Sequence, residues 1–252
     1  METQLYDAIF KRKSFHFFTN TGKAEFVDAE LAEIEAAYRG FEPLYPEIRT
    51  EVRIVPGDAT SCRRGEQYCV MLYSEKKDGY LQNIGYLGQQ LDLYLVSRGI
   101  GTLWFGMGKT AERSFNGLDF VIMIAIRKVD DPAKFRKDMF KSKRKAVKEI
   151  WEGDELAAVT DIARFAPSAC NSQPWFVRSE GGVLSVYRYR RPDWRGIMPS
   201  KMVPFFNRID IGIFLCFLEL CLAHTGTAFS RELFSDAGGE DKYTLNAVYR
   251  LN

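Results

Sequence analysis

The sequence predicts an α+β fold built as two related halves, each with a central helix and an antiparallel-type sheet. Three observations predict it. A helical stretch recurs at an offset of 127 residues, almost half of the 252-residue chain. A β-type run follows that helix in each half. Shorter amphipathic helices precede it in the same order in each half.

The central helices carry the repeat most clearly. Over the 17 positions from Asn83 to Gly99 six residues are identical to their counterparts: Ile84/Ile211, Gly85/Gly212, Leu91/Leu218, Leu93/Leu220, Leu95/Leu222 and Gly99/Gly226. Asp92 faces Glu219, and Asn83 faces Asp210. Ile84, Leu87, Leu91 and Leu95 recur every three or four residues, which is a helical stripe. Each copy ends in a Gly where a helix C-cap belongs. Upstream, Glu30 to Arg39 resembles Glu155 to Arg164 at an offset of 125. Downstream, the runs from Phe120 to Ile126 and from Tyr243 to Tyr249 read as strands, as do Arg53–Val55, Tyr68–Tyr73 and Leu184–Tyr189. The boundary between the halves falls within 140–154, giving 1–148 and 149–252 as halves of one pseudo-dimeric unit.

Composition limits the function classes. The chain is 46% hydrophobic and 27% charged, with 19 Phe, 12 Tyr and 4 Trp, enough for a large core. Thirty-five basic residues against 33 acidic ones leave +2, too balanced to require nucleic acid. Two His and five Cys, with no C-x-x-C pair, leave little material for a metal centre, and none is expected. The odd number of cysteines, two of them in the apolar stretch 211–223, points to a reduced, cytoplasmic protein. The N-terminus lacks the apolar core of a secretory signal. The stretch 211–223 is too short for a membrane span and is interrupted by Glu219, so it reads as a buried helix.

Four segments carry chemistry. The first, Lys11-Arg12-Lys13-Ser14-Phe15-His16, places Arg12, Ser14 and His16 at alternate positions where a helix ends. Arg12 suits bidentate contact with a phosphate or carbonyl oxygen and Ser14 a further hydrogen bond; the alternative is a solvated basic terminus. The second, Ala166-Pro167-Ser168-Ala169-Cys170-Asn171-Ser172-Gln173-Pro174-Trp175, holds hydroxyls and amides between two prolines. That set suits the polar edge of a planar heterocycle, or else a turn whose side chains bond their own backbone. The third, Gly99 to Gly108, has glycines at four of ten positions. It allows a flat ligand to approach the backbone, or forms a helix cap leading into a strand; it is not the dinucleotide fingerprint. The fourth, Arg127 to Lys148, holds ten basic residues against three acidic ones. It suits a ligand phosphate or a wet surface, and no nucleic-acid motif accompanies it.

The order of these segments resembles the nitroreductase family of FMN-dependent oxidoreductases. Within it, the chain is similar to the fused pseudo-dimer branch, the TM nitroreductase type. Ordinary members are homodimers with two FMN sites built from both subunits. Here the Arg-x-Ser motif occurs only in the first half and the A-P-S motif only in the second, so the resemblance implies one FMN per chain and a monomer. By resemblance, Arg12, Lys13, Ser14 and His16 stand with the residues that hold the phosphate, ribityl chain and pyrimidine edge. Pro167, Ser168, Ala169, Asn171 and Gln173 match the loop against the flavin, and Phe105, Gly106 and Met107 the backbone near flavin N5. Lys143 and Arg144, with Lys145, stand near the late phosphate-binding cations. His16 departs from a common Lys or Arg, and Gly106-Met107 from a common Glu-Gly. Trp104, Phe105, Trp175 and Phe176 wall the pocket or pack in the core.

The resemblance implies that NAD(P)H donates reducing equivalents and that an electron-poor nitroaromatic or quinone accepts them, in a ping-pong cycle without a side-chain nucleophile. The partners expected are small molecules, with no nucleic acid and no membrane. Three other readings stand beside it: a flavin-binding sensor or store without turnover, a degenerate fold working through the basic 127–148 surface, and a thiol activity at Cys170.

Overall fold

The computed structural model describes residues 2–154, 156–190, 196–236 and 242–252. The chain divides into two compact units, one of residues 3–80 and 87–139 and the other of residues 81–86 and 140–252.

In the first unit, α1 (Glu2–Lys11) buries Leu5, Tyr6, Ala8 and Ile9 as one stripe, and α2 (Asp28–Arg39) follows. The Glu30 carboxylate accepts the Val27 N–H at 3.0 Å, so α2 starts with an occupied donor and an acidic first turn that suits the helix dipole. Then come β1 (Thr50–Pro56), β2 (Tyr68–Ser74), α3 (Tyr80–Ser97), β3 (Ile100–Phe105), β4 (Ser114–Phe115) and β5 (Leu118–Lys128). The sheet runs β1-β2-β5-β3, all antiparallel, with β4 folded back on β5. The two inner strands, β2 and β5, are buried over most of their length, which explains why they read as near-continuous apolar runs rather than alternating ones.

In the second unit the order is α4 (Val147–Ile150), β6 (Trp151–Gly153), α5 (Ala157–Ala163), β7 (Trp175–Glu180), β8 (Val183–Tyr189), α6 (Val203–His224), β9 (Phe229–Leu233) and β10 (Tyr243–Leu251). Its sheet runs β6-β7-β8-β10-β9. β7, β8, β10 and β9 pair antiparallel, the type of sheet expected, and the short β6 adds one parallel pair at the β7 edge. Gly181 and Gly182, with φ of 56° and 77°, join β7 to β8 in the two-residue turn that matches strand twist. β7 and β8 bury alternate residues, the period of a strand with one face on a core. α6 is apolar around nearly its whole circumference and is buried accordingly. Among the described residues no helix is long and apolar enough to cross a membrane. Glu155, read from sequence at the start of a helix, lies outside the described residues; the helix itself is α5.

Set β4 and β6 aside and the two sheets share one strand order: first, second, fourth, third, with a long helix between second and third. The residues 81–86 of α3 and the α6 helix meet within the second unit through a reciprocal contact. A Cβ on Gly85 would collide with the Ile209 carbonyl, and a Cβ on Gly212 with the Gln82 carbonyl. Both pairs carry the 127-residue offset found in the sequence. Glycine is required at both positions because the approach is backbone to backbone.

Candidate functional site

α1 ends at Lys11, and the chain then extends alongside β3. The Phe15 N–H donates to the Thr102 carbonyl at 3.0 Å, and Ser14 pairs with Thr102 in a single parallel bridge. This turns Arg12 inward. It is buried, and its Nε donates to Asp92 Oδ2 at 2.9 Å. Asp92, fully buried on α3, also accepts Trp104 Nε1 at 3.1 Å, Gln89 Nε2 at 3.3 Å and the Thr102 hydroxyl. A carboxylate with so many donors holds Arg12 in one orientation. The Arg12 Nη2 atom, by contrast, is buried and has no partner among the described residues. A buried guanidinium N–H left unmade costs about 1–3 kcal/mol or more, so the position is suited to an incoming acceptor.

More cations gather here. The segment 132–136 is tied to the same stretch, with the Arg136 N–H on the Lys11 carbonyl at 2.9 Å and the Phe135 ring 5.5 Å from that of Phe15. Burial holds the half-buried Lys13 ammonium below its usual pKa, and the charges of Lys134 and Arg136 push it further down. Arg136 is likewise depressed, first by burial and then by Arg12. Four cations gathered in this way form a site of positive potential, and a bound anion would relieve their repulsion. Of the predicted residues in this unit, Arg12, Lys13 and Ser14 lie at this cluster, whereas the His16 side chain is exposed. Within the basic 127–148 stretch, nothing in the sequence sets Lys134 and Arg136 apart as ligand contacts. Their one sequence signal is a pair of cations flanking Phe135.

In the second unit, the 166–175 segment is a tightly braced turn. Cys170, Asn171 and Gln173 all have positive φ (51°, 56° and 49°), a conformation that side chains other than glycine adopt rarely. Hydrogen bonds hold it there. Ser168 Oγ accepts the Gln173 N–H at 2.9 Å, and the Ala169 N–H donates to both Asp210 oxygens at 3.0 and 3.2 Å. The Ser172 hydroxyl reaches Asp210 Oδ2 at 3.3 Å. Burial pushes the Asp210 carboxyl up to about 7, against the lowering effect of these two donors.

The 143–145 segment braces the same turn, through the Lys143 carbonyl and the Arg144 and Lys145 side chains. Arg144 Nη1 donates to Asn171 Oδ1 at 2.9 Å and Nη2 to the Phe165 carbonyl at 3.2 Å. Asn171 Nδ2 donates to the Lys143 carbonyl at 3.2 Å, and the Lys145 N–H to Gln173 Oε1 at 2.9 Å. Lys145 Nζ bonds the Ser172 and Gln173 carbonyls, each at 2.6 Å. The structure thus places Arg144 and Lys145 on the loop, while the Lys143 side chain is exposed. The turn also follows the self-bonding alternative: the side chains of Ser168, Asn171 and Gln173 all make hydrogen bonds within its own neighbourhood. Pro167 is buried and Ala169 half-buried.

The glycine-rich segment forms a helix end leading into β3, whose last residue is Phe105. Phe105 packs against the core cluster of Phe15, Phe18, Met71 and Met123, Gly106 is half-buried, and Met107 is 56% exposed. Trp175 is a core residue, 1% exposed and stacked on Phe214 at 4.9 Å. Phe176 instead lies edge-on to Tyr243 at 5.3 Å.

Comparison with protein families matches residues 4–222 to the family described as "Putative TM nitroreductase". No curated protein matches. Among solved structures, the chain is similar to a protein of Thermotoga maritima described as a putative nitroreductase. The TM-score is 0.61 and the identity 17%, over 98% of this chain and 94% of that one. That likeness shows a shared fold. The match over 4–222, which takes in both the Arg12 cluster and the 166–175 turn, places the chain in the TM nitroreductase family.

Proposed function

We propose that the protein is an FMN-dependent oxidoreductase that takes reducing equivalents from NAD(P)H and passes them to an electron-poor nitroaromatic or quinone, each bound in turn. Family membership supports oxidoreduction. The observation that carries the cofactor assignment is the Arg12 cluster: a buried Nη2 with no partner among the described residues, beside Lys13 and Arg136, both depressed first by burial and then by neighbouring cations. FMN differs from riboflavin by a phosphate, and this donor set fits a phosphate.

The chemistry supplied by bound FMN is hydride acceptance and onward transfer of reducing equivalents. The chain's own residues bind and orient. Arg12 Nη2, Lys13, Lys134 and Arg136 hold the phosphate as charge-assisted donors. Asp92 fixes the Arg12 plane through Nε, so that the free edge is presented without further ordering. The half-buried Ser14 hydroxyl, two residues from Arg12, is a donor for the ribityl chain. Pro167, Ser168, Ala169, Asn171, Gln173, Phe105, Gly106 and Met107 are proposed as flavin contacts from the family motifs. Arg144 and Lys145 act indirectly, by holding the 166–175 turn rigid. Each motif occurs once, so one FMN per chain is proposed. The strand order shared by the two sheets and the reciprocal Gly85 and Gly212 contacts support a fused pair of related halves, and with it a monomer.

The test is anaerobic mixing of the flavin-loaded protein with NADH or NADPH. Bleaching of the flavin, reversed by a nitroaromatic or quinone, is expected. Flavin that dithionite bleaches but neither nicotinamide does would indicate a sensor or store instead.

A further inference from the structure

The connection between β1 and β2, residues 57–67, has little regular structure, yet it brings two thiols and a carboxylate together. The Sγ atoms of Cys62 and Cys69 and a carboxylate oxygen of Glu66 all lie within 4.8 Å of one another. Both cysteines are free, with no exposed surface. Neither the flavin reading nor the 166–175 turn uses any of these residues. We propose that Cys62, Glu66 and Cys69 form a binding site for one soft divalent cation of the Zn²⁺ class.

Two adjacent core thiols alone would be ordinary packing. The carboxylate sets this site apart, because the loop is shaped to bring it in. Gly57 leaves the room: a Cβ there would lie 2.8 Å from Glu66 Cγ. The Arg64 N–H donates to Glu66 Oε2 at 2.7 Å and fixes the carboxylate. Thr60 holds the two thiols: its Oγ1 accepts the Cys62 N–H at 3.1 Å and lies 3.5 Å from Cys69 Sγ, while donating to the Gly57 carbonyl at 3.0 Å. Ligating groups held in this way by outer hydrogen bonds characterise metal sites.

Geometry and charge agree. Zinc–thiolate bonds of about 2.3 Å in a tetrahedron put sulfurs about 3.8 Å apart, so side-chain shifts of about an ångström would close the site. Thiolate ligands select soft cations over Mg²⁺ or Ca²⁺. Binding forms two metal–sulfur bonds and one metal–oxygen bond and releases the two thiol protons to solvent. Two thiolates, a carboxylate and a divalent cation sum to −1. The Arg63 guanidinium sits over the loop, donating to the Thr60 carbonyl at 2.6 Å and to the Cys62 carbonyl, and offsets that charge. The fourth position is left for water or Thr60 Oγ1. Ser61, Arg63 and Gly65 are exposed, so the loop itself is the route of entry. A bound cation would clamp the connection to the start of β2.

The test is titration of the full chain, chelator-treated and reduced, with Zn²⁺ and with Cd²⁺ as a spectroscopic probe. One cation per chain is expected, with cadmium–thiolate absorption in the near ultraviolet and release of about two protons per cation bound. Cys62→Ser and Cys69→Ser should each remove the absorption, and Cys170→Ser should leave it. Glu66→Gln alters a half-exposed side chain without touching the core; it should weaken binding by about ten- to a hundredfold with an unchanged circular dichroism spectrum. Absence of the absorption, its persistence in Cys62→Ser, its loss in Cys170→Ser or full affinity in Glu66→Gln would each overturn the proposal. None of these readouts depends on flavin.

Discussion

Asp92 and Arg12 form a buried ion pair in which the carboxylate takes Nε at 2.9 Å, and Nη2 has no partner among the described residues. The pair orients a cation rather than neutralising a surface. Removing one member of such a pair strands the other in a medium that solvates it poorly. Asp92→Asn is therefore expected to lower stability by about 3 kcal/mol and to weaken FMN binding as well. Urea unfolding with and without FMN measures both. An unchanged midpoint and affinity would show that Asp92 does not hold Arg12.

The phosphate contacts separate from the flavin contacts by choice of ligand. Replacing Lys134 and Arg136 by Ala removes charge-assisted donors worth about 1.5–3 kcal/mol each when made. FMN affinity should fall at least about tenfold, while riboflavin, which lacks the phosphate, should bind as before. Equal losses for both ligands would mean that these residues act on the fold and not on the phosphate.

Arg144→Ala tests the opposite role. Its hydrogen bonds to Asn171 and the Phe165 carbonyl support a turn with three non-glycine residues at positive φ. Loss of that support should speed amide exchange at 168–173. It should affect FMN and riboflavin alike. A selective loss of FMN would return Arg144 to the phosphate.

Asp210 gives stability a pH dependence with a definite sign. Its folded carboxyl titrates at about 7, above its ordinary value of 3.8, so between those values the folded chain keeps a proton that the unfolded chain releases. Stability from this group is present below about pH 4 and is lost as pH rises to about 7. Asp210→Asn keeps an acceptor for the Ala169 N–H and should flatten that part of the curve. Denaturant titrations from pH 4 to 8 compare the two slopes; identical slopes would remove Asp210 from this role.

The helix contact is tested at Gly85. A methyl there would meet the Ile209 carbonyl, and backbone cannot rotate away as a side chain does. Gly85→Ala gains roughly 1 kcal/mol of helix propensity but forces the helices apart, so a net loss is expected in thermal unfolding. A stabilised variant would place the helices further apart than described.

What sequence made legible was what periodicity and spacing encode. The strands read at 68–73 and 120–126, which the structure extends to 68–74 and 118–128, and the stripe on α3 follow from apolar pattern, and the 127-residue offset pairs Gly85 with Gly212 and Asp92 with Glu219. The chemistry of that last pair was not legible. Asp92 collects Arg12, Thr102 and Trp104, and Glu219 collects Tyr86, Arg231 and Tyr249. Trp104 and Arg231 stand at the same 127-residue offset as the acids they serve, but only the fold shows that they reach them. The basic stretch was legible as a run, not as a division of labour. Where Lys134 and Arg136 go is set by Phe135 packing on Phe15, a contact across the sequence that no local pattern reports. In the same way, Cys62 and Cys69 are too far apart in the chain to read as a pair until the loop closes on them.

Whether the chain holds FMN at all decides between these readings. The measurement is the visible spectrum of the purified protein, with the released chromophore identified and counted after denaturation. A flavin spectrum with close to one FMN per chain, lost on Arg12→Ala, is the result expected from the FMN assignment. A colourless protein that fails to take up added FMN would contradict it, and two FMN per chain would contradict the single-site reading of the halves.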